Sequence, residues 1–401
     1  MKRGYLLIAC FFWLTGCTEV NSHEGELEST EKVDNSIKGL DPGVSARIPY
    51  LFNYAVDSTQ FPRSTESDGA VRGVPSKDWT SGFYPGSLMY VYRLTGDQKY
   101  LDRAELWNPY MAKEQWNGGT HDMGFKVYCS IGNAYELTKK VKYKEVLIQA
   151  AKTLGTRYDS TVGCIKSWDF GTDVWDYPVI IDNMMNLELL FEVSLLTGDS
   201  SFYKMAESHA YNTMKNHYRP DYSSYHVIDY NPETGNVQNQ LTHQGFDVNS
   251  VWSRGQAWGL YGFTMVYRYT KNEVFLDHAK SIWTFINSQD NMPEDNIPYW
   301  DMKDPAIPDA PRDVSAAAIC ASAAIELFQY TGDQEYKTYA QKVIDTLSTE
   351  KYLLKSANKV PFILGHSTGN WPKKDEIDAP LSYADYYFME AIVRESQLSA
   401  N

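Results

Sequence analysis

A repeated helix–turn–helix phrase is the feature of this sequence that most restricts its fold. An apolar segment ends in Thr-Gly-Asp at residues 95–97, 197–199 and 331–333, and an aromatic residue and a second, amphipathic segment follow each time. Weaker copies of the turn occur at residues 138–140 and 270–272. Glycine just past one helix and aspartate just before the next are preferred helix caps. The pattern therefore predicts a succession of helical hairpins.

The same turns predict how many helices there are. A first helix is expected over residues 44–57 and a last one over residues 383–396. Between them, five hairpins are expected to begin near Gly82, Asp122, Asp182, Arg254 and Asp313. Segments before each turn are apolar on nearly all sides and segments after it are amphipathic, which indicates an inner and an outer ring. We predict an all-α (α/α)6 barrel; an open solenoid of helix pairs is the alternative, and it would need polar terminal repeats.

The N-terminus has the order of regions that is typical of a secretion signal. Lys2 and Arg3 precede a short apolar stretch that ends in Leu-Thr-Gly-Cys at Cys17. This ending resembles that of bacterial lipoproteins, in which the cysteine is lipidated; a chance cysteine is the alternative. We expect a signal peptide over residues 1–17, a flexible polar tether over 18–40 and a single barrel domain over 41–401. The expected location is the periplasm or cell envelope of a Gram-negative bacterium, with membrane contact through the lipid alone.

Charge and cysteine content argue against two classes of function. The net charge of −14 disfavours a nucleic-acid partner, because phosphate binding needs a basic surface. Beyond the signal, Cys129, Cys164 and Cys320 form an odd set without CxxC spacing, so neither a disulfide framework nor a zinc site is expected. Cys129 and Cys320 lie in apolar helical segments and are expected to be buried.

Two long connections indicate where the functional site lies. Residues 160–181 and 219–253 are expected to join an outer helix to the next inner one, whereas the inner-to-outer turns are short. Because all inner helices then run in the same direction, their N-termini and these loops should meet at one mouth of the barrel. Asp122 and Asp182 begin successive inner helices there. Either residue alone is explained by helix capping, but their neighbours His121 and Asn183 favour a facing pair of carboxylates.

Four strings at this mouth resemble the unsaturated glucuronyl hydrolases of glycoside hydrolase family 88. They are Asp-Trp-Thr-Ser-Gly-Phe-Tyr-Pro-Gly from Asp78, His-Asp-Met-Gly-Phe from His121, Ile-Asp-Asn-Met-Met-Asn from Ile181 and Ser-Arg-Gly-Gln-Ala-Trp from Ser253. The resemblance extends from Trp79 to the C-terminus and implies an (α/α)6 barrel that uses no metal or other cofactor.

The same resemblance implies roles for individual residues. Asp182 is expected to be the principal general acid/base, and Asp122 the second carboxylate. Arg254 is expected to bind the sugar carboxylate. The remaining substrate contacts implied by the resemblance are His121, His226, Gln244, Trp79 and Trp258.

The implied substrate is an unsaturated uronate at the non-reducing end of a lyase-generated glycosaminoglycan oligosaccharide. Its C4=C5 bond is an enol ether, so protonation at C4 develops a cation at C5, water adds there, and the resulting hemiketal opens and expels the neighbouring sugar. Ordinary glycosidase schemes, which link carboxylate spacing to stereochemistry, therefore do not transfer. Repulsion and burial are expected to raise the pKa of one carboxyl, assigned to Asp182, while the other stays ionised.

Specificity is less readable from the sequence. The loop at residues 365–374 carries Ser367, Thr368 and two lysines, and a Ser- and Lys-bearing loop is linked to sulfated substrates in some relatives; a solvated surface loop is an equal alternative. For the whole chain, an unsaturated rhamnogalacturonyl hydrolase acting on pectin-derived disaccharides is one alternative, and a non-catalytic sugar-binding lipoprotein is another. The strings at Asp78 and His121 favour the glucuronyl group, and the presence of both Asp122 and Asp182 favours catalysis.

Overall fold

A computed structural model of the chain describes Ile37 and residues 40–398. The expected signal peptide, its lipidated Cys17 and nearly all of the expected tether lie outside these residues. In chain order the α-helices are α1 (Pro42–Asn53), α2 (Phe83–Thr95), α3 (Gln98–Glu105), α4 (Asn108–Ala112), α5 (Asn133–Thr138), α6 (Val141–Gly155), α7 (Leu187–Thr197), α8 (Ser200–Asn216), α9 (Ser253–Thr270), α10 (Glu273–Asn287), α11 (Val314–Thr331), α12 (Gln334–Leu347) and α13 (Ser382–Leu398).

The turns between paired helices have the predicted caps. Gly96, Gly198 and Gly332 follow α2, α7 and α11 with φ angles of 68°, 76° and 72°, which is the left-handed conformation that glycine adopts without strain. The aspartate after each glycine accepts a backbone N–H of the next helix. Lys139 and Lys271 take the same left-handed conformation in the two weaker copies. The hairpin prediction is confirmed.

Six inner elements form a closed ring. They are α2, the helical segment ending in α5, the segment ending in α7, then α9, α11 and α13; each contacts the next, and α13 contacts α2. Helices α3, α6, α8, α10 and α12 pack outside, as the amphipathic pattern indicates. The (α/α)6 barrel is therefore confirmed, and the open solenoid is excluded. Helix α11 is long and apolar enough to resemble a membrane span, but 78% of that segment is buried, as befits an inner helix.

Two inner elements do not begin as ordinary α-helices. A π-helix (Gly124–Gly132) precedes α5, and a 3₁₀ helix (Ile181–Asn186) precedes α7. The π-helix backbone lies directly against α2, since a Cβ atom at Gly82 would lie 2.2 Å from the Phe125 carbonyl oxygen, and one at Gly86 2.4 Å from that of Cys129. Single π turns are frequent at functional sites, and this one follows Asp122 directly.

Short strands replace parts of the expected helices and loops. Helix α1 ends at Asn53, earlier than predicted, and the chain then forms the antiparallel pair β1 (Phe61–Thr65) and β2 (Val71–Val74). Strand β3 (Tyr158–Asp159) lies just before the first long loop and pairs with β4 (Cys164–Ile165) inside it. The two long loops also form a three-stranded antiparallel sheet of β5 (Tyr177–Ile180), β6 (Val227–Tyr230) and β7 (Val237–Leu241). The connections predicted as loops are therefore joined to each other by a sheet.

Both predicted long outer-to-inner connections are present, but the expectation of two is too few. Residues 288–313 and 348–381 also form long connections, before α11 and α13. The second of these is held by a buried side chain: Arg47 of α1 donates to the carbonyls of Lys355, Asn358, Val360 and Phe362. The loop at residues 365–374 belongs to this connection.

The cysteines of the described chain agree with the sequence analysis. Cys129, Cys164 and Cys320 are all free and buried. Burial raises the pKa of the Cys320 thiol to about 12, so it is a neutral thiol in the core.

Candidate active site

The candidate catalytic groups meet at the mouth of the barrel, where inner helices begin. His121 and Asp122 precede the π-helix, and Asp182 lies in the 3₁₀ helix before α7. His226 precedes β6, and Arg254 lies in the first turn of α9. Asn186 joins the π-helix to the 3₁₀ helix: its Oδ1 accepts the backbone N–H of Phe125 at 3.1 Å. This link holds the segments carrying Asp122 and Asp182 side by side.

Asp182 faces His226, and both side chains are buried. The Oδ2 atom of Asp182 lies 3.5 Å from Nε2 of His226, the long limit of a hydrogen bond, and neither atom has a closer partner among the described residues. The other ring nitrogen, Nδ1, accepts the backbone N–H groups of His243 and Gln244, each at 3.0 Å. Two donors aimed at Nδ1 leave no room for a proton there. The pattern therefore assigns the proton to Nε2, which faces Asp182.

The pKa of Asp182 differs from expectation. Burial by itself raises the pKa of this carboxyl, but the interaction with His226, and then those with His121 and Arg254, lower it below its ordinary value. The prediction of a raised pKa is therefore wrong for the free protein, because cationic and hydrogen-bonding neighbours outweigh burial. Asp182 is a carboxylate at neutral pH until something changes its surroundings.

Asp122 has different neighbours. Its Oδ1 lies 3.2 Å from Nε2 of His121, and its Oδ2 accepts the Thr120 hydroxyl at 2.5 Å. In the described chain, neither Asp122 nor Asp182 accepts a backbone N–H of its own helix, whereas Asp313 caps α11 by accepting the Ser315 N–H at 3.0 Å. The capping interpretation therefore holds for Asp313 and fails for the carboxylate pair.

Arg254 is buried, and three of its N–H groups hold the far wall. Its Nη1 donates to Asp313 Oδ2 at 2.8 Å and to the Thr368 carbonyl at 2.6 Å, and its Nη2 donates to the Gly369 carbonyl at 2.5 Å. Gln244 reaches the same wall, since its Nε2 donates to the Gly369 carbonyl at 3.2 Å. The carbonyls of residues 368 and 369 thus tie this loop to α9 and to the loop after β7.

Ser367 and Thr368 are buried rather than solvated. Thr368 Oγ1 donates to the Arg312 carbonyl at 2.9 Å, and Ser367 Oγ is a buried hydroxyl without a hydrogen-bond partner in the described chain. The solvated-loop alternative is therefore wrong for these two side chains, although it describes the exposed Lys373 and Lys374. The cause is the sheet-like pairing of Ser367 with Ala379, which draws the loop inward.

Aromatic rings complete the mouth. Trp79 is partly buried and contacts Phe125 and Tyr383, whereas Trp258 is completely buried and its Nε1 has no hydrogen-bond partner among the described residues. Trp168 also lies here, with its ring 6.4 Å from that of His226, and it was not predicted from the sequence. Its position in a long loop of unassigned structure gave no periodic signal that could have identified it.

The residues described hold no group of three or more His, Cys, Asp or Glu side chains placed to bind a metal ion. The chemistry available from the described side chains is acid–base chemistry by two carboxylates and two histidines, beside a buried guanidinium.

Comparison with known proteins gives a consistent set of relatives. The sequence profile of glycosyl hydrolase family 88 matches residues 55–301. An unsaturated glucuronyl hydrolase of Formosa agariphila is 50% identical over 400 residues, covering 99% of each chain. An unsaturated chondroitin disaccharide hydrolase of Streptococcus pneumoniae is 30% identical over 83% of this chain and 86% of its own.

Solved structures of the same kind superpose on the barrel. An unsaturated glucuronyl hydrolase specific for heparin matches with a TM-score of 0.86 and 43% identity, over 90% of this chain and 96% of its own. The profile match, the identity over the full length and the shared barrel agree: the chain belongs to glycosyl hydrolase family 88.

Proposed function

We propose that this protein releases the unsaturated 4,5-uronic acid from the non-reducing end of lyase-generated glycosaminoglycan oligosaccharides, by hydrating the C4=C5 enol ether. Asp182 transfers the proton and Asp122 supplies negative charge near C5. The observation that carries the proposal is the Asp182–His226 contact at the mouth, with His226 held in a single tautomer by two backbone donors.

The lowered pKa of Asp182 in the free protein gives the reaction a defined order. A uronate that enters the mouth brings a negative charge and displaces water, and both effects raise the pKa of a neighbouring carboxyl. Asp182 thus takes up a proton as substrate binds. It delivers this proton to C4, water adds its oxygen at C5, and the proton that this water loses returns to Asp182. The hemiketal then opens and expels the second sugar, so the net reaction consumes one water.

Binding of the uronate rests on the opposite wall. Arg254 is surrounded by fixed acceptors, so it attracts the sugar carboxylate mainly through its positive charge and through the loop it holds. Gln244 and His121 provide polar contacts on either side. Trp79 provides an apolar wall, and the completely buried Trp258 supports this wall from behind through Phe125. Trp168 lies next to the site and offers a ring face on which the second sugar can stack.

The substrate class is supported by the relatives and by charge. The solved relative described as specific for heparin is 43% identical, and the streptococcal chondroitin disaccharide hydrolase is 30% identical. Lys373 lies close enough to His243 to contribute to lowering its pKa to about 4, after burial and His226. A cation is therefore present on the side of the mouth where an acidic or sulfated second sugar would lie.

The test follows the absorbance of the conjugated alkene-carboxylate in unsaturated heparin, chondroitin and hyaluronan disaccharides. Wild-type protein should remove the signal from at least one, and Asp182→Asn should not. No loss on any of them would refute the glycosaminoglycan assignment, and rhamnogalacturonan disaccharides are then the comparison that distinguishes the pectin alternative. If no unsaturated disaccharide is consumed, the protein is a sugar-binding member of the family.

We further propose that the enzyme is a lipoprotein anchored through Cys17 on the periplasmic side of the membrane. Support comes from the Leu-Thr-Gly-Cys ending after a short basic and apolar region. Fatty-acid labelling of the full-length chain should be abolished by Cys17→Ala, and the variant should leave the membrane fraction. Equal labelling of both proteins would contradict the anchor.

A further inference from the structure

A buried hydroxyl without a hydrogen-bond partner lies in the wall of the mouth. Tyr383 is 0% exposed, and its Oη has no partner among the residues that the structure describes. It belongs to the first turn of α13, so it lies at the same end of the barrel as Asp182. A buried hydroxyl that is left unpaired lowers stability, and phenylalanine would fill the same space without that cost. The hydroxyl therefore calls for a reason other than folding.

The Tyr383 ring lies between two residues that are expected to contact the substrate. Arg254 Cζ, at the centre of the guanidinium group, is 5.3 Å from the centroid of the Tyr383 ring. On the other side, the Trp79 ring centroid is 4.9 Å away, with an angle of 38° between the two rings. Tyr383 is therefore a neighbour of both the cation and the apolar wall at which the uronate is expected to bind.

The Tyr383 hydroxyl keeps its proton. Burial raises the pKa of this phenol above its ordinary value, and the positive charge of Arg254 opposes the effect only in part. The group is thus neutral over the whole range in which the protein works, and it can donate one hydrogen bond. A neutral donor beside a guanidinium group suits an anionic acceptor.

Arg254 alone leaves such an acceptor short of donors. Its Nη1 already donates to the Asp313 carboxylate and the Thr368 carbonyl, and its Nη2 donates to the Gly369 carbonyl. Only part of its donor capacity therefore remains for a ligand. A carboxylate that leaves water for a buried site must be compensated by hydrogen bonds as well as by a charge. Tyr383 can supply one of them.

We propose that the Tyr383 hydroxyl donates a hydrogen bond to the carboxylate of the unsaturated uronate, beside Arg254. The inference rests on the proposed function and adds a substrate-binding residue to it. Burial in the free protein does not separate Tyr383 from the other groups of the mouth, since Arg254 is 1% and His226 is 3% exposed. A neutral sugar would leave the hydroxyl unpaired, so the contact favours a uronate over a neutral sugar.

Tyr383→Phe removes the hydroxyl and nothing else. KM for the unsaturated disaccharide that the wild-type protein consumes fastest should rise about tenfold, because a hydrogen bond to a charged group is lost. The value of kcat should change by less than about twofold, because the carboxylate is bound alike before and during the reaction. The melting temperature should stay the same or rise, since an unpaired buried hydroxyl is removed. An unchanged KM would overturn the inference.

Tyr386→Phe is the matched control on the same helix. Tyr386 is buried too, but its hydroxyl is paired: the Asn133 amide donates to it at 3.0 Å, and the Tyr90 hydroxyl lies 3.2 Å away. This variant should lower the melting temperature and leave KM within about twofold of the wild-type value. If both variants raise KM equally, the effect arises from the packing of α13 and the inference fails.

A modified substrate tests which group the hydroxyl contacts. In the methyl ester of the same disaccharide the uronate is neutral, and a neutral acceptor gains much less from a donor than a carboxylate does. Tyr383→Phe should therefore raise KM for the ester by no more than about threefold. A tenfold rise for the ester as well would mean that Tyr383 contacts another part of the sugar.

Binding can also be measured without turnover. Calorimetry compares Asp182→Asn with the double variant Asp182→Asn/Tyr383→Phe, and the double variant should bind the disaccharide about tenfold more weakly. If the wild-type protein binds disaccharides but consumes none, the proposed function fails while this comparison still tests Tyr383. If the enzyme is active and the two affinities are equal, the Tyr383 inference alone fails. Absence of binding to all of these proteins would refute both.

Discussion

The barrel has charged side chains buried in two places, which differ in how these side chains are paired. Away from the mouth, on helices α7, α9, α11 and α13, lies a network of charged side chains that we call the base network: Glu188, Arg268, Glu326, Glu390 and Arg394. Arg268 donates to both Glu326 oxygens at 2.6 and 2.7 Å, and Arg394 donates to Glu326 at 2.9 Å. Arg268 also pairs with Glu188, and the Ser322 hydroxyl donates to Glu390 at 2.6 Å. Each carboxylate in this network has a charged or hydroxyl partner.

The mouth holds groups of the same kind that lack such partners. Several buried polar atoms there have no hydrogen bond within the described chain: Asp182 Oδ2, His226 Nε2, His121 Nδ1, Trp258 Nε1 and Ser367 Oγ. Unpaired buried polar atoms also occur elsewhere in the described chain, for example His209 Nε2 and Trp283 Nε1, but Asp182 Oδ2 is the only carboxylate oxygen among them. Buried polar groups are normally paired, so this carboxylate calls for an explanation. The comparison indicates that the base network stabilises the fold, whereas the mouth keeps its donors and acceptors for a ligand.

The largest expected effect is at the mouth. Asp182→Asn should lower turnover by at least about a thousandfold, since proton transfer by a positioned side chain contributes about 10²–10⁴-fold and no other group faces C4 in the proposed reaction. Its melting temperature should fall only slightly at neutral pH, because the lowered pKa of Asp182 means that the folded protein favours the ionised carboxylate over a neutral group. The two measurements are alkene absorbance and calorimetry. If Asp182→Asn lost much stability as well as activity, Asp182 would have a stabilising role like that of the base network.

The reverse pattern is expected at the base. Glu326→Gln leaves Arg268 and Arg394 with one carboxylate fewer, and breaking a buried ion pair costs about 3 kcal/mol or more. Urea unfolding should show this loss in the free energy of unfolding, while kcat of the folded variant stays within about twofold, since distant sites act independently. If Glu326→Gln instead kept its stability and lost kcat, the base network would not differ from the mouth in its role.

The helices that form both regions could be predicted from the sequence, but the contacts within these regions could not. The Thr-Gly-Asp turns predicted the hairpins because caps are local: Gly96 and Asp97 are fixed by neighbours within a few residues. The pairing of β5 with β6 was not predicted, because it joins residues about fifty positions apart and such pairing leaves no local signature. The β6–β7 hairpin is local and was also missed. The π-helix was missed for a similar reason, since it depends on the bare backbone of Gly82 and Gly86 in another helix.

The candidate site shows the same division. Helix starts and family strings predicted Asp122, Asp182 and Arg254 at one mouth, and the structure brings them there. They could not predict that Arg254 would be occupied by the carbonyls of residues 368 and 369, or that His226 would lower the pKa of Asp182. Both facts arise from contacts between loops far apart in the chain, where pairing is decided by the whole fold.

Arg254 is an intermediate case. It lies at the mouth but, like the arginines of the base network, it donates hydrogen bonds to several acceptors. Arg254→Lys should raise KM by about tenfold with little change in kcat. The ammonium group of lysine lacks the planar fork with which Arg254 holds the carbonyls of Thr368 and Gly369 and the Asp313 carboxylate. Arg268→Lys is the matched control, because it makes the same exchange in the base network and should lower stability without changing KM. An unchanged KM in Arg254→Lys would reduce Arg254 to a structural role.

The smallest expected effect is a pH dependence of stability that arises in the base network. Burial raises the pKa of Glu188 to about 7, against the opposing effect of Arg268. Between the ordinary glutamate pKa and about 7, the folded protein therefore binds more protons at this residue than the unfolded chain, and stability falls as pH rises through that window. Over the whole window the change is at most about 3 kcal/mol, since one pKa unit corresponds to about 1.4 kcal/mol.

Glu188→Gln should make the pH profile of the melting temperature shallower in this window. It should not abolish the slope, because burial also raises the pKa of Asp385 to about 7 and gives a change of the same sign. Glu326 acts elsewhere: its pKa is lowered to about 2, so its contribution is lost only as pH falls below the ordinary glutamate value. The pKa of Asp182 is also lowered, so the stability that its ionised form contributes is likewise lost only at acid pH. A slope between pH 5 and 7 that Glu188→Gln leaves untouched would therefore place this titration outside the base network.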